Sequence, residues 1–600
     1  MQLHRLGRTG TSRWTDFFRR SELVAAALVA IVLGLHFTAA RPSAREGGPQ
    51  KAAVSGSTVP DKGAPDDPVA DSATRIARIY AALEANSLDP TDPDHVILDG
   101  AIRQGLATLD PFSSFFDRDQ FQQLQQQQSG QAMGFGSILY VQIGKLLVIS
   151  AAPDSPSGRA GLGPGDEIVQ VNGTRIADLD FQSMIQLLQQ AREKPVRLGV
   201  IHPGKIVAQE YELKPAEVNQ SSVDKAFLLQ PGIGYLHLAS FESKSAEEVS
   251  EALAGLEQPT ARSDSGPARA PSSAAGRNHA GAADPGRAAD QALRGVILDL
   301  RDNHGGQVQA ALGVASIFLP KGLSVLTVRG RAQPPETLRT AELPPPFHAW
   351  RGPLVVLVNG ETASASEVVA AALEEHDRAV IAGVPTFGKG VVQNVLPLSD
   401  SMGLALTVAQ YFTPSGRSIQ RPIPGTSLEG MAPSRTGETS GFITDDGRSL
   451  AAGGGVTPDV ILPGRDLDPW VQFVDQRGAF TDFADNYRNA HQQIPRSFEP
   501  DDQTLGDFQN FLHQRGVRAP ENYWEHDRDY LKLRIRTELM DLVYGVTIGD
   551  EVAIEGDPQV QGASALFGRI PALLKPAPGE RAAKQPAASG GLERALPRGR

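Results

Sequence analysis

A serine at the junction of an apolar strand and a helix is the first residue in this sequence that could do chemistry. Residues 357–367 read LVNGETASASE, in which Ser364 follows small residues and precedes a helical pattern. Amides at the start of a helix lack partners within it, and the helix dipole is positive there, so negative charge developing beside Ser364 would be stabilised. The alternative is that Thr362, Ser364 and Ser366 only cap the helix, with Glu367 completing a capping box.

The loop at residues 383–390, GVPTFGKG, places one lysine between two glycines. It resembles a phosphate-binding loop, but Gly390 stands where a magnesium-binding Ser or Thr is required, and strand-like valines follow where a helix is needed. We therefore reject nucleotide binding. Lys389 could instead act as a base near pH 7 if its pKa of about 10.4 fell by roughly 3 units, which burial beside Phe387 would favour. The alternative is a surface lysine in a flexible loop.

A third motif, DLRDNHGG at residues 299–306, ends another apolar strand. Its two glycines permit unusual dihedral angles and let backbone N–H groups face a ligand, as an oxyanion hole requires. The alternative is a tight turn in which Asp299 and Arg301 form a structural pair.

Two histidines lie near these motifs, which matters because Ser-His-Asp is the commoner catalytic arrangement. His376 lies about three helical turns beyond Ser364, too far to contact it. Spacing does not exclude His304, although no Gly-x-Ser-x-Gly motif surrounds Ser364. The sequence has no metal-ligand spacing such as His-Glu-x-x-His, so we predict no metal and no cofactor.

The overall composition of the 600 residues narrows the function classes. The net charge is −12, from 57 Lys and Arg against 69 Asp and Glu, and no basic stripe is interleaved with aromatic residues, so nucleic acid is not an expected partner. The absence of cysteine excludes disulfides and a cysteine nucleophile.

The amino-terminal part has the charge pattern of an export signal. Arginines at positions 5, 8, 13, 19 and 20 precede an apolar run from Leu23 to Phe37. Positive charge before an apolar run holds that end in the cytoplasm and sends the rest across the membrane. We expect residues 1–40 to be a signal peptide, cleaved after Thr38-Ala39-Ala40, or a retained membrane anchor, followed by a disordered linker at 41–70.

The remaining chain divides by its periodicity and composition into further parts. Strands alternating with helices in the middle of the chain predict a mixed α/β, multi-domain protein. The expected parts are an N-terminal helical segment (71–130), a small β-rich domain (133–216), an α/β core (222–465) with a disordered insertion at about 259–290 and a flexible loop at about 421–455, a helical C-terminal region (466–574) and a disordered tail (575–600).

Several motifs in this order resemble the C-terminal processing peptidases, or tail-specific proteases. The match covers about residues 75 to 463 and consists of LDPFSS (109–114), the turn at 299–306, TASASE (362–367), TFGKGVVQ (386–393), YFTPSGRSI (411–419) and GVTPD (455–459). The resemblance implies a ClpP/crotonase-like α/β protease core that cleaves peptide bonds with a serine and a lysine.

The resemblance also implies the roles of individual residues. Ser364 is then the nucleophile, Lys389 the general base, and Gln393 the residue that orients the lysine amine. The amides of Ala365 and of Gly305 would form the oxyanion hole. The family usually has proline where His304 stands, so this turn departs from the family's pattern.

Residues 133–216 resemble a PDZ domain, a module that binds a peptide tail as an additional strand. The sequence Gly134-Phe135-Gly136 matches the loop whose amides receive a terminal carboxylate, and turns containing SP, AGL, PGD and VNG follow it. Val141, Ile185 and Leu188 are expected in the side-chain pocket. The alternative is that these glycines only form turns.

We therefore expect a serine endopeptidase of the cell envelope, exported to the periplasm or the outer face of the inner membrane. Its partners would be protein or peptide substrates with free, apolar C-termini, the membrane if the N-terminal segment is uncleaved, and a second copy of the chain or an adaptor. The alternatives are a non-catalytic PDZ adaptor and a crotonase-like acyl-transfer enzyme.

Overall fold

The computed structural model describes residues 68–576, except 89–91, 93, 129–130, 143, 192–193, 220, 259–291, 400–401, 430–440, 452, 492 and 520. The predicted signal or anchor segment, most of the linker, the insertion at 259–290 and nearly all of the tail lie outside these residues. None of the helices in the described ranges combines the length and the apolarity that crossing a bilayer requires.

The N-terminal segment is helical, as its spacing predicts. It contains α1 (Pro68–Asn86), a π-helical turn (Asp94–Ile102), α2 (Arg103–Leu109), strand β1 (Ser114–Phe116) and α3 (Arg118–Gln128). Asp110 ends α2 with an acid-capped turn, in which its carboxylate accepts hydrogen bonds from the amides of Phe112 and Ser113 and from the Ser113 hydroxyl.

The β-rich domain is a small sheet covered by one helix. Its elements are β2 (Gln131–Gly134), β3 (Ser137–Gln142), β4 (Lys145–Ala151), α4 (Pro156–Arg159), β5 (Glu167–Val171), β6 (Thr174–Arg175), α5 (Phe181–Ala191), β7 (Val196–Ile201), β8 (Gln209–Leu213) and β9 (Ala216–Asn219). The strand order is β3-β4-β5-β7-β8, all antiparallel, so β3 is an edge strand. Strands β2 and β9 pair where the chain enters and leaves the domain.

The α/β core has a six-stranded sheet of mostly parallel strands. Its elements are β10 (Val223–Gln230), β11 (Ile233–Leu238), α6 (Ser245–Glu257), β12 (Gly295–Asp299), α7 (Val308–Phe318), β13 (Ser324–Gly330), β14 (Glu336–Arg339), β15 (Leu354–Val358), α8 (Ala365–Glu375), β16 (Val380–Gly383), β17 (Val391–Ser399), β18 (Met402–Phe412) and β19 (Val460–Ile461). The order is β10-β11-β12-β15-β16-β19, with only β10 antiparallel. Every residue of β12 and β15 is buried, which agrees with their continuous apolar sequences.

The C-terminal region is helical, as expected. It contains α9 (Pro469–Gln476), α10 (Ala479–Ala490), α11 (Asp502–Gln514), α12 (Glu521–His526), α13 (Arg528–Tyr544), α14 (Val546–Glu555), α15 (Pro558–Ala565) and α16 (Ile570–Leu573). Stacked and tilted aromatic rings, among them Phe480, Phe483 and Phe508, occupy its core.

The described chain folds into two units, and these confirm the mixed α/β, multi-domain class. The smaller unit contains residues 68–124, 392–408 and 422–429, and its core includes Phe116, Phe121 and Ala405. In it β1 pairs with the first part of β18. The larger unit contains the remaining residues, including the PDZ-like domain, the parallel sheet and the C-terminal helices, and there the end of β18 pairs with β13.

Candidate active site

Ser364 lies immediately before α8, at the carboxyl end of β15. Its backbone has φ 56° and ψ −117°, a conformation that L-residues seldom adopt and that turns the chain sharply from strand into helix. The next residue, Ala365, is the first of the helix, where amides have no partner within the helix. The serine side chain therefore lies at the positive end of α8.

The turn at residues 299–306 is tied to the serine turn by several hydrogen bonds. The Asn303 carbonyl accepts hydrogen bonds from the amide of Ala363 (3.0 Å) and the hydroxyl of Ser366 (2.8 Å). The Asp302 and Asn359 side chains are linked by a 2.8 Å hydrogen bond, and the Asp302 amide donates back to Asn359 Oδ1 at 3.0 Å. These bonds hold the two turns in a fixed relation.

Gly305 is packed against the nucleophile turn. It has φ 100°, and a Cβ at this position would lie 2.8 Å from the Ala363 carbonyl oxygen and 2.9 Å from both the Ala365 nitrogen and the Ser364 Cβ. Only glycine fits this close approach. Its amide donates to the side chain of Asn303 at 2.9 Å, so an oxyanion would share that N–H with Asn303 or displace the side chain.

Asp299 and Arg301 form the structural pair that was the alternative interpretation of this motif. The guanidinium donates to both carboxylate oxygens, at 2.6–3.0 Å, and reaches Asp557 at 2.7 Å. Both Asp299 and the Tyr235 hydroxyl that donates to it are buried. These pairs hold the end of β12 in place. The turn that follows, at residues 302–306, lies against the serine turn.

A single buried carboxylate, that of Glu367, connects the serine turn to the lysine loop. Its Oε2 accepts hydrogen bonds from the amides of Ser364 (3.0 Å) and Lys389 (2.8 Å). Its Oε1 accepts from the amide of Gly388 (2.7 Å) and the hydroxyl of Thr386 (2.5 Å). Burial raises the pKa of Glu367, and these four hydrogen bonds oppose that rise because they favour the charged form.

Lys389 is buried, with only 5% of its surface exposed, which excludes the surface lysine of a flexible loop. The loop around it packs too closely for larger residues. A Cβ on Gly388, at φ 93°, would lie 2.8 Å from Arg421 Cβ, and one on Gly390 would lie 2.6 Å from the Gln420 nitrogen. The lysine backbone is therefore fixed through Glu367 to the same helix start that carries Ser364.

Three other residues considered from the sequence, Gln393, His304 and His376, have partners of their own. Gln393 is a buried residue of the smaller unit, where its side-chain amide donates to the Phe112 carbonyl. His304 lies 3.8 Å from the exposed carboxylate of Glu361. His376 caps the opposite end of α8 from Ser364 and bonds Asp445 and the Ser324 carbonyl, so it does not serve that serine.

The β-rich domain has a pocket of about 280 Å³ beside the glycine loop that is predicted to receive a peptide tail, and we call it the tail pocket. Gly134, Phe135 and Gly136 line it, together with apolar side chains that include Leu139 and Leu188. Val141 and Ile185 do not line this pocket. Gly136 has φ 72°, and a Cβ there would lie 2.2 Å from Ser155 Cβ, so this loop requires glycine.

The sequence does not predict the connecting role of two residues at this site. Glu367 was interpreted only as part of a capping box, and Asn303 only as part of a turn, although both are fully buried and polar. A carboxylate three residues into an otherwise small and apolar helix face is the signal that could have identified Glu367, because a charged residue at a buried position needs partners.

Comparison with known proteins identifies the family of this chain. The model of peptidase family S41 matches residues 283–427, and that of the PDZ domain matches residues 147–201. A carboxyl-terminal-processing protease of Synechocystis sp. is 32% identical over 54% of this chain and 68% of its own length. A carboxy-terminal-processing protease of Bartonella bacilliformis is 30% identical over the same shares.

A solved structure titled photosystem II D1 C-terminal processing protease is 26% identical, covering 65% of this chain and 86% of that one, with a TM-score of 0.32. The family assignment rests on the sequence relatives and on the two matched domains. The chain is a serine peptidase with a PDZ domain, and it belongs to peptidase family S41, among the carboxyl-terminal processing proteases.

Proposed function

We propose that this protein is an endopeptidase in which Ser364 and Lys389 form the catalytic dyad. The observation that carries the proposal is the Glu367 carboxylate, which binds the backbones of both residues. A positioned serine at a helix start, next to a buried lysine, is an arrangement in which a neutral amine can accept the serine proton.

The reaction proceeds through an acyl-enzyme. Ser364 Oγ attacks the peptide carbonyl carbon as its proton passes to Lys389 Nζ, and the oxyanion is stabilised by the Ala365 amide and by the turn at Gly305. The C–N bond then breaks as the amine takes the proton from Lys389, which leaves a Ser364 ester. Water attacks this ester, Lys389 accepts the water proton, and the proton returns to Ser364 as the acid leaves.

In this proposal the PDZ domain binds the C-terminal tail of the substrate. The glycine loop at 134–136 suits a free terminal carboxylate, and the apolar pocket behind the loop suits the apolar side chain of the terminal residue.

The location proposed for this activity is the periplasm or the outer face of the inner membrane. The arginines and the apolar run in residues 5–37 support it. Fractionation of cells that produce the protein, with protease protection, tests this location.

The experiment uses the purified protein and a peptide with an apolar C-terminus, offered with a free carboxylate and as the amide. Ser364→Ala and Lys389→Ala should each abolish cleavage, and the amide should be cleaved less efficiently by the wild-type protein. Fragments are identified by mass spectrometry, with Lys321→Ala, an exposed lysine, as the control variant. Wild-type activity in either dyad variant would refute the dyad, and equal cleavage of the two peptides would refute tail capture. Tail binding by the wild type with no cleavage would favour the adaptor instead.

A further inference from the structure

The hairpin β3–β4 has two faces that contribute to different cores. Leu139 and Leu146 line the tail pocket and pack with the core of the PDZ domain. Tyr140 and Leu147, which alternate with them along the strands, pack into the core of the C-terminal helices. A peptide tail would pair with the free edge of β3. The face of β3 that points away from the tail pocket is therefore covered by the C-terminal helices, which belong to the same unit.

Tyr140 is the polar contact at the centre of this covered face. Its hydroxyl lies 3.1 Å from the carbonyl oxygen of Gly478 and 3.3 Å from Asp482 Oδ1, at the start of α10. Burial and the negative charge of Asp482 raise the pKa of Tyr140, so the hydroxyl remains a donor. Gly478 has φ 66°, and a Cβ there would lie 2.1 Å from this hydroxyl. The tyrosine therefore packs directly against the backbone of Gly478, and a larger residue does not fit there.

Charged groups flank the tyrosine and join the same two domains. Lys145, at the start of β4, lies 2.5 Å from Asp485 of α10. Arg488 pairs with Asp485 at 2.7 Å and reaches the carbonyl of Gly165 at 3.4 Å, in the turn before β5. Lys145, Asp485 and Arg488 are all largely buried, so the pairs are less screened than surface pairs.

An edge strand binds a peptide through its unpaired backbone N–H and C=O groups, so these groups must be fixed in an extended conformation. Among the residues that the structure describes, strand β3 has a neighbour on one side only, and its pairing with β4 is interrupted by a register shift between Ile138 and Leu139. Holding such a strand in its bound conformation before the peptide arrives reduces the entropy lost on binding.

We propose that α10 is the support of the tail-binding strand and that Tyr140 is a positioning residue for tail affinity. This inference rests on the proposed capture of substrate tails by the PDZ domain. Loss of the Tyr140 hydroxyl loosens β3 and weakens tail binding, while the chemistry at Ser364 is unchanged.

The test compares Tyr140→Phe with Tyr211→Phe in the full-length protein. Tyr211 is a matched control, because it is a second tyrosine of the PDZ sheet whose hydroxyl is hydrogen-bonded, but its partner is His202 of the same domain, at 2.7 Å. With the free-tail peptide, Tyr140→Phe should raise KM by about three- to tenfold with kcat unchanged, as the loss of one hydrogen bond predicts. Tyr211→Phe should leave KM at the wild-type value, and neither variant should change kcat/KM for the amidated peptide.

A second variant, Gly478→Ala, approaches the same contact from the helix, and its added methyl should raise KM further. Melting temperatures verify that each variant is folded. Wild-type KM in both Tyr140→Phe and Gly478→Ala would overturn the support role, as would an equal loss of kcat with both peptides. Equal KM of the wild type for free and amidated peptides would instead overturn tail capture, and the role of Tyr140 with it.

Discussion

Glu367 is the residue on which the proposed dyad geometry depends most. It accepts four hydrogen bonds, two at each carboxylate oxygen, and all four donors belong to the serine turn or the lysine loop. A glutamine has the same shape but replaces one acceptor oxygen by a donor, so two donors would face it in either orientation.

Glu367→Gln should therefore lower kcat roughly 100-fold, since a small displacement of reacting groups has costs of this order. Peptide hydrolysis measured under saturating substrate tests this, and Glu361→Gln, which changes an exposed carboxylate of the same turn, is the control. A kcat within twofold of the wild type would mean that the carboxylate does not position the dyad.

Gly305 is the second residue whose identity the site requires. In Gly305→Ala the methyl group would press on the Ala363 carbonyl and the Ala365 nitrogen, and alanine is strained at φ 100°. We expect kcat to fall at least about tenfold, because the oxyanion donors would move apart. Gly360→Ala is the matched control, since a Cβ there has nothing within 4 Å. Equal rates for the two variants would exclude a tight fit at Gly305.

At the scale of the element, helix α8 has one functional and one structural end. Ser364 precedes its first residue, whereas Glu374 and Glu375 end it, where the dipole disfavours negative charge. Arg417, which is fully buried, compensates both carboxylates at 2.6 Å and 3.0 Å. Burial raises the pKa of Glu374 to about 7 despite this pairing.

Arg417→Met should lower the free energy of unfolding by about 3–5 kcal/mol at pH 8, because it leaves two buried carboxylates without their cation. Urea unfolding followed by tryptophan fluorescence measures this. Lys321→Met, which breaks an exposed pair with Glu342, should leave the free energy of unfolding close to the wild-type value. Similar values for the two variants would show that the α8 end tolerates the loss of its cation.

The sequence predicted this strand–turn–helix element closely, and the reason is local. The continuous apolar runs of β12 and β15 and the small-residue turn before α8 are read directly from neighbouring residues. The packing of the lysine loop could not be read in this way, because Arg421 and Gly455, which lie against Gly388, come from more than 30 residues farther along the chain.

At the scale of the whole molecule, the C-terminal helices carry a group that makes stability depend on pH. Burial, followed by the charges of Glu538 and Asp550, raises the pKa of Asp541 from 3.8 to about 7. The folded state therefore binds this proton more tightly than the unfolded state. The resulting stability is fully present below about pH 4 and is lost as the pH rises through about 7.

Asp541→Asn should remove this dependence, because asparagine is neutral at every pH. The variant should match the wild type near pH 4 and exceed its free energy of unfolding at pH 8 by as much as ~4 kcal/mol. Urea unfolding of both proteins across this pH range provides the measurement. Parallel pH curves for the two would show that Asp541 is not the group responsible.

By itself the sequence determined the family, because several motifs stand in the order that the family has them, and that resemblance supplied the identity of the proposed dyad. The tertiary structure decided what supports them. Glu367 joins loops about 20 residues apart, and Tyr140 contacts a helix more than 330 residues away. Alternation of apolar side chains shows that a strand has a second buried face, but it does not show which distant segment covers it, since many apolar surfaces would fit equally well.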